Sequence, residues 1–148
     1  MNAKLKIDPS DLSKLKNKLD KLRRFESQSV SNELGKTGLE IVRIAKRSAP
    51  VAKEKGGTLR QSINSKKVGK SIQVEANANY AAYVEFGTGG NVTLDDMIAL
   101  GIPSSYAKQF KGSKPGNMKA QPFFFGSARI GFKNLLNRLN DEMKKAIK

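Results

Sequence analysis

The chain has 148 residues, a formal net charge of +15, and no cysteine, histidine or tryptophan. That composition excludes a disulfide framework, a thiolate metal site and any chemistry resting on imidazole. The length suits one domain over residues 1–148, burying about 68–70% of its unfolded surface.

No run of about 18 apolar residues is present to span a membrane. The opening stretch MNAKLKIDPSD lacks the apolar core of a signal peptide. The expectation is a soluble protein made in the cytoplasm of its host, with no membrane partner. Charge is uneven: residues 1–74 hold 18 basic and 7 acidic side chains, residues 75–148 hold 10 and 6. The first half therefore carries +11 and faces either water, a polyanion or an acidic protein surface.

Asp8-Pro9-Ser10-Asp11 opens a helix, with Asp8 as cap, Pro9 in the first turn and Asp11 at the positive end of the dipole. Leu12, Leu15, Leu19 and Leu22 recur at three- and four-residue steps as one apolar stripe, a packing surface. Lys14, Lys16, Lys18, Lys21, Arg23 and Arg24 fill the other faces. SQSVSN loosens the pattern, and Val30, Leu34, Ile41, Ile44 and Ala45 predict a second helix ending before Pro50. Within it Gly35 and Gly38 weaken the helix or admit a close neighbour.

After the polar link VAKEKGG the period changes to two. Leu59, Gln61 and Ile63 alternate with Arg60, Ser62 and Asn64, and Ile72, Val74 and Ala76 alternate with Gln73 and Glu75. These predict a half-buried hairpin turning at KKVGK. YAAYVEF, apolar on both faces until Glu85, predicts a third strand, central in the sheet or covered by a partner. Residues 89–120, punctuated by Gly89, Gly90, Gly101, Pro103, Gly112, Pro115 and Gly116, predict a long loop in which LDDMIAL forms a short helical turn and Tyr106 and Phe110 are anchored. A loop of that length is expected to order against a neighbour. Pro122 starts or precedes a last helix with an apolar stripe of Ala128, Phe132, Leu135, Leu139, Met143 and Ile147. The expected fold is α+β: two N-terminal helices, a small antiparallel sheet of three or four strands, a long loop, and a C-terminal helix packed on the sheet.

Little here carries bond-breaking chemistry. Without His or Cys the remaining nucleophile–base options are Ser–Lys, Thr or carboxylate pairs, and none is singled out by spacing. Asp95 and Asp96 are adjacent, so their side chains diverge and supply too few oxygens for a hard cation. GTGG is followed by NVTLDD rather than by a helix bearing Lys and Ser/Thr, which rejects a phosphate loop. No catalytic residue, cofactor or metal ligand is expected. The basic first helix keeps open a second class, a nucleic-acid-binding protein of a mobile element, although its cations circle the helix and no recognition motif is present. Three consecutive phenylalanines, Phe123, Phe124 and Phe125, cannot all face one core.

Four segments in order, AKRSAP, GGTLRQSI, YAAYVEFGTGG and AQPFFFGSA, stand ahead of the C-terminal helix. Together they resemble the tail-component family of long-tailed bacteriophages, also called head–tail joining or tail-completion proteins, gene-ten-product-like. The resemblance covers about residues 40–135. It implies a structural virion protein that forms a homo-oligomeric ring at the neck, hexameric or twelvefold. Its partners are the phage head connector or adaptor and the tail-tube or tail-terminator proteins, with non-specific contact to genomic DNA. On this resemblance Arg60, Tyr83, Glu85, Phe86, Gly87, Thr88, Pro122, Phe123, Phe124 and Phe125 form a subunit interface or structural corner. Glu85, a carboxylate in an apolar run, needs a partner; Arg60, of the same subunit or the next, is the expected one.

Overall fold

A computed structural model describes residues 8–53, 56–112 and 117–148. Pro115 and Gly116, and part of the 51–57 link, lie outside the described residues. The architecture is α+β, built on one long helical rod. Helix α1 (Pro9–Arg24) passes through a π-helical turn (Phe25–Ser29) into α2 (Val30–Ser48) with no break. The expected pair of separate helices is therefore one rod of roughly 60 Å. SQSVSN, which reads as a loosening, is absorbed as a wider turn, because Arg24, Phe25, Ser29 and Val30 all keep right-handed helical angles. At its start the Asp8 carboxylate accepts the Ser10 amide at 2.8 Å. At its end Ala49 swings to extended backbone ahead of Pro50.

Thr58–Ser62 forms a short helix, α3, where alternation predicts a strand. Strand β1 (Ile63–Val68) then pairs antiparallel with β2 (Ser71–Ala76), Ile63 opposite Ala76 and Val68 opposite Ser71. The two-residue turn Gly69-Lys70 holds Gly69 at φ +59°, which glycine tolerates. Among the described residues the sheet has these two strands and no third. YAAYVEF, the expected central strand, is instead helix α4 (Ala81–Phe86). Its burial repeats at helical spacing, Ala81 and Glu85 being buried and Tyr83 exposed. A short apolar run fits either element, and here the alanines favour the helix.

The expected loop at 89–120 is also corrected. After a 3-10 turn at Gly89–Asn91 come helices α5 (Leu94–Ala99) and α6 (Ser104–Lys111). They close over their own small core of Val92, Met97, Ala107 and Phe110, so this lobe has buried structure within the protomer. Phe110 is anchored there, whereas Tyr106 is 45% exposed.

Helix α7 (Phe125–Ile147) packs along α2, and the hairpin packs on an adjacent face of α2. This replaces the expected packing of the last helix on the sheet. Two glycines permit the close approaches: a Cβ on Gly38 would meet Ile72 Cγ2 at 2.5 Å, and one on Gly131 would meet the Ile41 side chain. The buried face of α7 is Ser127, Gly131 and Leu135; Phe132, Met143 and Ile147 of the predicted stripe are exposed. The main core holds Ala45, Ala49, Leu59, Ile63, Ala81 and Phe123.

Candidate functional site

Helix α4 separates the two cores. Ala81 and Val84 pack into the main core, and Ala82 and Phe86 pack against the α5–α6 lobe. An element apolar on both sides is what this position demands. Glu85 is the exception, and the structure uses it at the start of α7. Its carboxylate accepts three consecutive backbone amides, those of Phe123 at 2.7 Å, Phe124 at 2.9 Å and Phe125 at 3.0 Å. These are amides that a helix leaves without intrahelical partners at its N-terminus, where the dipole also favours negative charge. Among the described residues no buried side-chain polar atom is left unsatisfied.

Arg60 does not pair with Glu85 within the protomer. Its Nε donates to the Ala49 carbonyl at 3.1 Å, at the C-terminal end of α2. A cation there suits the negative end of the α2 dipole, as the Glu85 anion suits the positive end of α7. Within the protomer each charge meets a helix end, so the expected ion pair inside one subunit gives way to two separate capping contacts.

Gly87 ends α4 at φ +73°, and a Cβ there would lie 2.5 Å from the Met118 carbonyl oxygen and 2.8 Å from the Ala120 nitrogen. Those backbone atoms belong to a strap, residues 117–121, that lies against the end of α4. The Thr88 amide donates to the Met118 carbonyl, the Met118 amide donates to Thr88 Oγ1, and the Gln121 amide donates to the Val84 carbonyl, all at 2.8–2.9 Å. The strap delivers exposed Pro122 and then the three phenylalanines to Glu85.

The three rings go to different places. Phe123 is buried in the main core. Phe124 is half-buried at its edge, and Phe125 lies 5.6 Å from the Phe86 ring. Phe86 continues to Phe110 at 5.6 Å, and Phe110 meets Tyr83 and Tyr106 at 5.3 Å each. Tyr83 and Tyr106 thus carry an aromatic chain from the interior to the surface. Clefts of about 480 and 390 Å³ flank the Phe86–Phe125 contact, the larger lined mainly by apolar side chains including Ile102 and Tyr106.

A second polar constellation joins α2 to α7, and no sequence signal singled it out. Arg138 donates to Glu33 at 2.6 Å, to Glu40 at 3.0 Å and to Thr37 Oγ1 at 2.7 Å. Asn134 adds a bond to Glu40 at 2.7 Å, and Lys36 one to Glu33 at 2.6 Å. The hydrogen bond from Lys36 is the largest cause that holds the Glu33 carboxyl below its ordinary value; burial opposes it and Arg138 adds to it. For Glu40 burial is the largest influence and raises the pKa, but Asn134 and Arg138 outweigh it and the value is lowered. The only advance sign was spacing: 33, 37 and 40 share a helix face, as do 134 and 138.

Among the described residues no group of three or more acidic, His or Cys side chains is placed to hold a metal ion. No helix among them is long and apolar enough to cross a membrane.

No curated protein and no solved structure matches this chain. Residues 13–87 match the HK97-gp10-like family, described as "Bacteriophage HK97-gp10, putative tail-component". The match runs from the second turn of α1 through the hairpin and ends on Gly87, the residue that closes α4. Those 75 residues are just over half of the 148, and the chain belongs to this family of bacteriophage tail components.

Proposed function

We propose that the protein is a structural component of the virion that forms a ring at the neck of a long-tailed phage, completing the tail and joining it to the head connector. The observation that carries this reading is how the family match meets the Glu85 corner. The matched segment ends at that corner, where a buried carboxylate is spent wholly on backbone amides. Both Glu85 oxygens accept amides, so the buried acid of the site works as a fastener between α4 and the start of α7. What the corner presents outward is aromatic and apolar: Tyr83, Tyr106 and the clefts beside Phe86 and Phe125. Aromatic side chains at that depth suit the centre of a subunit interface.

In this reading Arg60, Tyr83, Glu85, Phe86, Gly87, Thr88, Pro122 and Phe123–Phe125 set the shape of a heterologous contact repeated around a hexamer or dodecamer. The connector or adaptor lies on one side of the ring, and the tail-tube or tail-terminator protein on the other. The excess positive charge supports loose contact with the packaged genome passing through. The protein performs no catalysis.

The test is genetic. Removing the gene from its phage is expected to leave filled heads and tails that lack their head-proximal ring and do not join, with joining restored by adding purified protein. Infectious, joined particles lacking the protein would overturn the reading.

A further inference from the structure

Helix α1 carries four leucines that the described residues of its own protomer leave exposed. Leu12, Leu15 and Leu19 are 53%, 55% and 51% exposed, and Leu22 is 37% exposed. Their spacing of three, four and three residues places them at successive a and d positions of two heptads, the narrow seam of a coiled coil. The protomer contacts the other side of the helix. Lys21 and Arg24 line a shallow cleft with Glu142 and Lys145 of α7, and Asp20 is the half-buried member of α1. At 100° per residue these three lie about 120° or more from the leucine seam.

The borders of the seam define what fits it. Lys16 and Arg23 occupy the e positions and Lys18 a g position; the other g residue, Asp11, is held by Lys14 at 3.2 Å. Over Pro9–Arg24 six basic and two acidic side chains give +4. A second copy of α1 would set Lys18 against Arg23 in a parallel pair and Lys16 against Arg23 in an antiparallel one, with only Asp11, already held by Lys14, to offset them, within a protein already at +15. Duplex DNA would meet the lysines but leave the leucines in water. An acidic amphipathic helix satisfies both features. The continuous backbone from α1 into α2 means the binding surface is formed in advance, so association orders little new chain.

We infer that α1 is one half of a heterotypic coiled coil whose partner is a helix with an apolar a/d seam and Glu or Asp at its e and g positions. This face is distinct from the Glu85 corner, and its test does not depend on ring assembly.

The test is fluorescence anisotropy on the full-length protein with three labelled three-heptad peptides. One has Leu at a and d and Glu at e and g; the second has Lys at e and g; the third keeps the glutamates but replaces the leucines by serine. The first peptide is expected to bind at least about tenfold more tightly than either control. The pair Leu15→Asp and Leu19→Asp is expected to weaken it about tenfold or more. The triple change Lys16→Glu, Lys18→Glu and Arg23→Glu is expected to move preference to the lysine peptide. Should the leucine pair lower the melting temperature, the three-peptide comparison on the unaltered protein decides. Equal binding of the first and third peptides overturns the inference, as does conversion of an oligomer to a monomer by the leucine pair. Loss of binding to phosphatidylglycerol vesicles or duplex DNA in that pair, with no binding of the Leu/Glu peptide, overturns it too.

Discussion

Glu85 and Phe125 are 40 residues apart in sequence, yet the Glu85 carboxylate accepts the Phe125 amide at 3.0 Å. With the Phe123 and Phe124 amides it fixes where α7 begins relative to α4. One side chain thereby joins the hairpin core, the α5–α6 lobe and the long C-terminal helix. Removing it leaves three amides at a buried corner without an acceptor. Glu85→Ala is expected to destabilise the fold by about 3 kcal/mol or more, and Glu85→Gln by less, since the amide keeps one acceptor oxygen. Urea unfolding measures both. A loss below about 0.5 kcal/mol for Glu85→Ala, the scale of an ordinary surface change, would remove Glu85 from its place in the account.

Gly87 is the second element of the same corner. Its positive φ and the 2.5 Å approach of the Met118 carbonyl leave no room for a methyl group. Gly87→Ala is expected to cost about 1–3 kcal/mol and to speed amide exchange along the strap at 118–121. Unchanged exchange at Thr88 and Gln121, whose amides cross between the two segments, would count against this.

The α2–α7 seam predicts a direction for pH dependence. The Glu33 and Glu40 carboxyls are held below the ordinary value of 4.5 in the folded chain. The unfolded chain therefore takes up protons first as pH falls, so the seam contributes fully above about pH 4.5 and its contribution is lost below that. Arg138→Met is expected to flatten this acid limb, and to lower stability near neutrality by about 2–3 kcal/mol because Glu33 stays buried. Thermal melts across pH 3–7 compare the two proteins. Parallel acid limbs would contradict the assignment.

The α5–α6 lobe has its own core, so it is expected to open separately. Phe110→Ala removes the ring on which Tyr83, Phe86 and Tyr106 converge and is expected to cost about 3–5 kcal/mol within the lobe. Limited proteolysis is then expected to cut first at 89–120 while α2 and the hairpin stay protected. Simultaneous digestion of α2 would show that the two cores unfold as one.

What the sequence made legible was local. The Asp8 cap, the stop at Ala49-Pro50, the β2 alternation and the existence of a last helix all follow from residues within a few positions of each other. The errors arose where distant contacts decide. YAAYVEF has apolar residues on both sides because two cores flank it, and periodicity over six residues does not separate a buried helix from a buried strand. Thr58–Ser62 alternates by chance within a single helical turn. The glycines and prolines of 89–120 read as loop, although they separate two short helices with a shared core. Arg60 and Glu85 look like mutual partners because each is a charge near apolar neighbours. Within the protomer their partners are helix ends, a carbonyl and three amides, which composition does not reveal. The Arg138 network was missed for the same reason: its members lie about a hundred residues apart.

The proposed neck function requires that copies of this protein assemble into a closed ring. Light scattering on the purified protein over a concentration series, with two-dimensional class averages of the same samples, tests it most directly. A mass of six or twelve copies is expected, and averages with a central opening. A monomeric mass at every concentration, with no ring in the averages, would contradict it.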